Sequence, residues 1–103
     1  MLGDAMLTYP IRIPIETNRG RGETRRIGPT RIVFTTLQPF ETGDPLRFSM
    51  SLRGTSATGL DAFCSGCVHH VTIEGPLFVV EASIEETQIS LAAAGSRRDG
   101  DIA

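Results

Sequence analysis

Leu46-Arg47-Phe48-Ser49-Met50-Ser51-Leu52-Arg53 is the stretch that decides the fold class. Apolar and polar residues alternate along it without a break, the period of a β-strand with one face in a core and the other in water. Ahead of it, Gly43-Asp44-Pro45 supplies a turn. Behind it, the small residues from Gly54 to Gly59 read as a loop into a strand from Leu60 to Glu74, with Gly66 expected to mark a bulge. Gly75-Pro76 then turns the chain into Leu77 to Ile84, whose Leu-Phe-Val-Val start reads as a strand buried on both faces. On the N-terminal side, Arg31 to Leu37 is rich in β-branched residues, and Tyr9 to Glu16 alternates Ile11, Ile13 and Ile15 with polar residues or Pro. Pro10 and Pro14 lack amide donors, which puts this first strand at a sheet edge. Short strands separated by Gly/Pro turns predict a small barrel or sandwich.

Two segments break the pattern. Thr17 to Thr30 is rich in Gly and Arg and reads as a long solvated loop or mobile hairpin. Glu85 to Ala94 reads as either a strand extension or a short helix. The preferred reading ends the strand near Ile84 and allows at most a short helix, with Ser83 and Glu86 as its capping box. Gly95 to Ala103 is polar and expected to be disordered. The chain divides into an N-terminal segment 1–8, a β-domain 9–86 and a C-terminal segment and tail 87–103.

A chain of 103 residues holds one domain, and 40% hydrophobic residues are enough for a modest core. The net charge of −2 hides an uneven distribution: every basic residue is Arg, and Arg19, Arg21, Arg25, Arg26 and Arg31 crowd into one stretch. The start, MLGDAMLTYP, has neither a basic leader nor an apolar run, and no window is apolar enough to span a bilayer. Two cysteines make no secreted disulfide framework. The expectation is a cytoplasmic protein with no membrane span and no nucleic-acid polymer as partner.

Chemistry concentrates in two places. Arg21, Arg25, Arg26 and Arg31, interleaved with Gly22 and Gly28, are the candidate ligand-binding residues, because guanidinium forks suit phosphate oxygens. No strand-to-helix turn follows them, so neither a P-loop nor a dinucleotide fingerprint is present. Cys64 and Cys67, with His69 and His70 close behind, are the other. Cys64, Cys67 and His69 form an alternative metal set, but a structural zinc site draws on a second such pair, which this chain lacks. The favoured reading is free thiols packed in a sheet, with no stoichiometric zinc. His69 and His70 are neighbours on a strand and so face opposite ways, one exposed and one tucked under a loop. No nucleophile, base and acid assemble into a triad, so the chain is expected not to be an enzyme and to need no cofactor.

The order of elements resembles a PilZ domain. The likeness starts at Tyr9-Pro-Ile-Arg-Ile-Pro-Ile-Glu and continues through Ile32-Val-Phe-Thr-Thr. Gly43 precedes the alternating strand Leu46 to Leu52, as a Gly does in the family. Cys64 to Val71, with Gly66 and Val68, is similar to the family's strand of cysteine, any residue, glycine, any residue, valine, and Leu77 to Glu85 resembles the closing strand. The resemblance covers about residues 9 to 86 and rests on pattern more than on rare residues. It implies an all-β fold, a small six-stranded antiparallel barrel, with a short C-terminal helix as an allowed addition. It also implies a bacterial signalling module, for which cyclic di-GMP is the ligand of many members. Family ligand binding uses two Arg separated by three residues ahead of the first strand, then Asp or Asn, any residue, Ser, two residues, Gly. Here no Arg precedes Tyr9; Arg21-Gly-Glu-Thr-Arg25 has the first spacing but follows that strand. Arg26-Ile-Gly28-Pro-Thr-Arg31 stands at the second place with the acid, the Ser and the final Gly all replaced. The leading expectation is therefore a binding module that recognises a protein partner through the barrel face or the Arg-rich stretch. A cyclic di-GMP sensor using Arg21, Arg25, Arg26 and Arg31, without tight binding, is the first alternative. A small zinc or thiol-redox protein is the second.

Overall fold

The computed structural model describes residues 8–53 and 59–91. Seven strands follow one another: β1 (Pro14–Thr17), β2 (Gly20–Ile27), β3 (Arg31–Thr36), β4 (Pro45–Arg53), β5 (Gly59–Glu74), β6 (Leu77–Ser83) and β7 (Glu86–Leu91). All pairings are antiparallel, in the order β4-β1-β2-β3-β6-β5-β7, and β4 also pairs with β5. That second pairing closes β1 to β6 into a six-stranded barrel and leaves β7 outside the closure. The expected all-β barrel is thus the fold. Among the described residues there is no helix, so none long and apolar enough to cross a membrane.

The alternating stretch behaves as its pattern requires. Leu46, Phe48 and Met50 are buried while Arg47 and Ser51 are exposed. Their burial joins Ile15, Ile32, Phe34, Val68, Val80 and Ala82 in one core. Phe40, from the loop between β3 and β4, meets Phe34 edge-on with ring centres 5.7 Å apart and plugs one end of the barrel. β6 is buried on one face rather than two. Val80 and Ala82 point inward, Val79 is half-buried and Glu81 is exposed, because β6 lies in a closed wall whose outer side has no covering layer among the described residues.

Closure rests on a short seam. β1 and β4 share only the pairs Glu16↔Ser49 and Thr17↔Phe48. Asn18 reinforces them: its amide N–H donates to Arg47 O at 2.9 Å, and its Oδ1 accepts from Arg47 N at 3.0 Å.

Four expectations need correction. The segment 17–30 is no loop: Asn18 and Arg19 make a two-residue hairpin, and β2 follows directly. Gly22 serves close packing, since a Cβ there would meet Thr35 O at 2.8 Å and Phe34 Cδ2 at 3.1 Å. The first strand is also shorter than its alternation implies. Residues 9–13 attach to β2 through a Tyr9↔Ile27 bridge and through Thr24. The fully buried Thr24 hydroxyl donates to Ile11 O and accepts from Ile13 N.

The C-terminal helix is instead β7, so strand structure runs on to Leu91, past the expected domain end at Glu86. The long β5 supplies the template: residues 68–74 pair with β6 and 60–65 with β7 along the same edge. Gly66 marks no bulge. The extra residue is His69, between the pairs Val68↔Ala82 and His70↔Glu81. Gly66 instead lies under the crossing of β6 into β7, where a Cβ would stand 1.8 Å from Ser83 O. The loop 54–58, segment 1–7 and the tail from Gly95 lie outside the described residues.

Candidate functional site

The four candidate arginines project from the outside of the barrel and do not converge. A bulge at Arg25, between the pairs Thr24↔Phe34 and Arg26↔Val33, sends neighbouring guanidiniums to different partners. Arg25 forms a two-pronged ion pair with Glu74, joining β2 to the far end of β5, two strands that are not neighbours in the sheet. The hydrogen bond between them raises the Arg25 pKa and lowers that of Glu74 from the ordinary carboxylate value, with charge attraction adding to both. Arg21 binds Glu16 at 2.7 Å. Arg26 donates to the Thr8 hydroxyl at 2.7 Å and to Thr8 O at 3.0 Å. The Arg31 guanidinium alone of the four has no polar partner among the described residues. Three of the four are thus already neutralised or hydrogen-bonded, each at a different place.

The cysteine set is likewise dispersed. Cys64 faces the core opposite Phe48, and Cys67 is half-buried opposite Pro45. Burial pushes the Cys64 thiol up, partly offset by the Thr87 hydroxyl 3.7 Å from its sulfur. Cys67 Sγ leans on Val68 O at 3.7 Å. His69 and His70 are both exposed, contrary to the expected opposition, because the bulge at His69 resets the alternation. Among the described residues, no three His, Cys, Asp or Glu side chains are grouped to hold a metal ion.

What the strands do assemble is a groove of about 480 Å³ across the outer face of β1, β4, β5 and β7. Antiparallel register makes its floor: Glu16, Ser49, Phe63 and Gln88 stand directly opposite one another in one row. Arg47, Ser65 and Glu86 make the next row. Phe63 is 49% exposed in the row, an aromatic ring flanked by polar side chains. Arg47, Glu86 and Gln88 have no polar side-chain partner among the described residues. The site was missed in the sequence, although one signal was available: Phe63 falls on the same face as Asp61 and Ser65, where β5 should be polar. The groove itself depends on β7, which the sequence reading did not make a strand. Comparison with family models, curated proteins and solved structures finds no match to this chain.

Proposed function

We propose that this barrel is a non-catalytic binding module that recognises a protein partner through the outer face of β1, β4, β5 and β7, with Phe63 as the central anchor. The observation carrying the reading is the half-exposed Phe63 in a groove rimmed by Arg47 and Glu86, charges with no side-chain partner among the described residues. An aromatic anchor ringed by polar groups is how protein interfaces concentrate binding energy. The resemblance of residues 9 to 86 to PilZ domains, whose barrel has the same strand number, supports a role in bacterial signalling. No observation favours the cyclic di-GMP alternative over this one, since Arg21, Arg25 and Arg26 are held apart by separate partners.

A photo-crosslinking residue placed at Phe63 tests the proposal in extract of the native cell. Discrete protein adducts are expected at position 63 and none at Ile73, which is more exposed but lies outside the groove. In binding to the captured partner, Phe63→Ala should weaken affinity by roughly tenfold or more. Equal labelling at the two positions refutes the reading.

A further inference from the structure

β7 exposes an edge that natural sheets normally protect. Among the described residues it pairs with β5 on one side only, and β3 cannot cover the other side. β3 ends against Ser83, Thr30 O accepts from Ile84 N, and Gly28-Pro29 turns the chain away into β2. Edge strands are commonly blunted by charge, Pro or a bulge. The first segment has Pro10, Arg12 and Pro14, whereas β7 has one charge at its start, Glu86, and none of these from Thr87 to Leu91. Ile89 sharpens the anomaly. It stands opposite Ala62, on the face that is core elsewhere in β5, yet it is 55% exposed. Beside it opens a groove of about 340 Å³ lined by Ile11, Ile27, Met50, Ala62, Ile84 and Thr87.

We infer that β7 pairs with β7 of a second copy of this chain, antiparallel about a two-fold axis through Gln88. This register is self-complementary. Gln88 meets its own copy, each Glu86 meets a Ser90, and each Thr87 meets an Ile89. Polar side chains then share the outer face. The two Ile89 side chains lie diagonally across the axis, about 7 Å apart, over the apolar grooves. Charge selects the direction: antiparallel pairing sets the acidic Glu85-Glu86 end of one copy against the uncharged Ser90-Leu91 end of the other. Parallel pairing would stack the acids. The dimer also aligns Phe63, Gln88 and their two counterparts in one row, with the Phe63 rings about 14 Å apart across three strand spacings.

Sedimentation of the full chain from about 1 µM to about 1 mM should show a monomer shifting to a dimer. Ile89→Lys should weaken the dimer roughly a hundredfold, since two Ile side chains leave the interface, while the circular dichroism stays unchanged. Gln88→Cys should form an intermolecular disulfide under mild oxidation, because directly opposite positions bring Cβ atoms to about 5 Å. The wild-type chain and Ser90→Cys should not. A chain that stays monomeric throughout overturns the inference, as does a dimer indifferent to Ile89→Lys or one cross-linked through Ile89→Cys instead. These readouts concern self-association alone and are independent of the partner bound at Phe63.

Discussion

Replacing Gly66 by Ala tests the backbone crossing at the middle of β5. The added methyl would sit 1.8 Å from Ser83 O, 2.7 Å from Ser83 C and 3.3 Å from Ile84 Cα. All three are backbone atoms, so no side-chain rotation relieves the clash. Reaching an ordinary carbon–oxygen separation requires β5 and the crossing to part by about 1.5 Å. Overpacking of this kind costs about 1–3 kcal/mol. The same movement stretches two hydrogen bonds, Cys67 N to Ser83 Oγ at 3.2 Å and Glu85 N to Ser65 O at 2.7 Å, each contributing about 1 kcal/mol net. Removing glycine's freedom from the unfolded chain returns less than about 1 kcal/mol. The expected loss is therefore about 3 kcal/mol, a large share of the roughly 5–15 kcal/mol that holds a domain together, and a fall in Tm of about 12 °C or more. Urea unfolding followed by far-ultraviolet circular dichroism measures it, a suitable probe in a chain without Trp. Gly43→Ala is the control: Gly43 has φ +95° but open space around it, so only backbone strain of about 1–2 kcal/mol applies. If Gly66→Ala costs no more than Gly43→Ala, the close-crossing argument is wrong.

Thr24→Val keeps the shape of the side chain but strands Ile13 N and Ile11 O. It should cost about 2 kcal/mol and speed hydrogen exchange at the Ile13 amide before that of β3. The Glu74 pKa is depressed by Arg25. Its contribution is present above the ordinary carboxylate pKa and is lost as pH falls through the depressed one. The stability difference between wild type and Glu74→Gln should therefore shrink with acid and be absent at the lowest pH; a constant difference would show that the pair is not its source. In calorimetry, cyclic di-GMP should associate at most weakly and in a salt-sensitive way. Micromolar affinity that survives added salt and vanishes in Arg21→Ala/Arg25→Ala would establish the sensor reading in place of partner recognition.

The legible and illegible parts of the sequence divide along a physical line. Leu46 to Ser51 and Arg31 to Thr36 announced strands because their burial is one-sided and regular. β2 was hidden because its inward positions are Gly22 and Thr24. These are chosen for close approach and for a buried hydroxyl bridge, so no apolar alternation marks them. β7 was hidden for the opposite reason: all its described side chains are exposed, and only pairing with the distant β5 makes it a strand. The arginines drew attention by composition, but their partners Glu16, Glu74 and Thr8 are set by register and a bulge, which one-dimensional spacing does not carry. Phe63 gives the converse case, a single residue whose role appears once four strands stand side by side.

The two-pair seam between β1 and β4 has a kinetic consequence. Every other wall of the barrel is held by five or more paired positions, apart from the four-pair β1–β2 hairpin. The cheapest excursion from the native state is therefore a swing of that hairpin away from β4, with little else disturbed. During folding the same closure gains the least, since only two pairs repay joining β1 to β4. Glu16 and Ser49, the residues that part in this motion, also line the groove around Phe63. A partner seated there spans the seam and acts as a clasp: it slows the opening of the barrel and protects the amides of β1 from exchange in proportion to its occupancy.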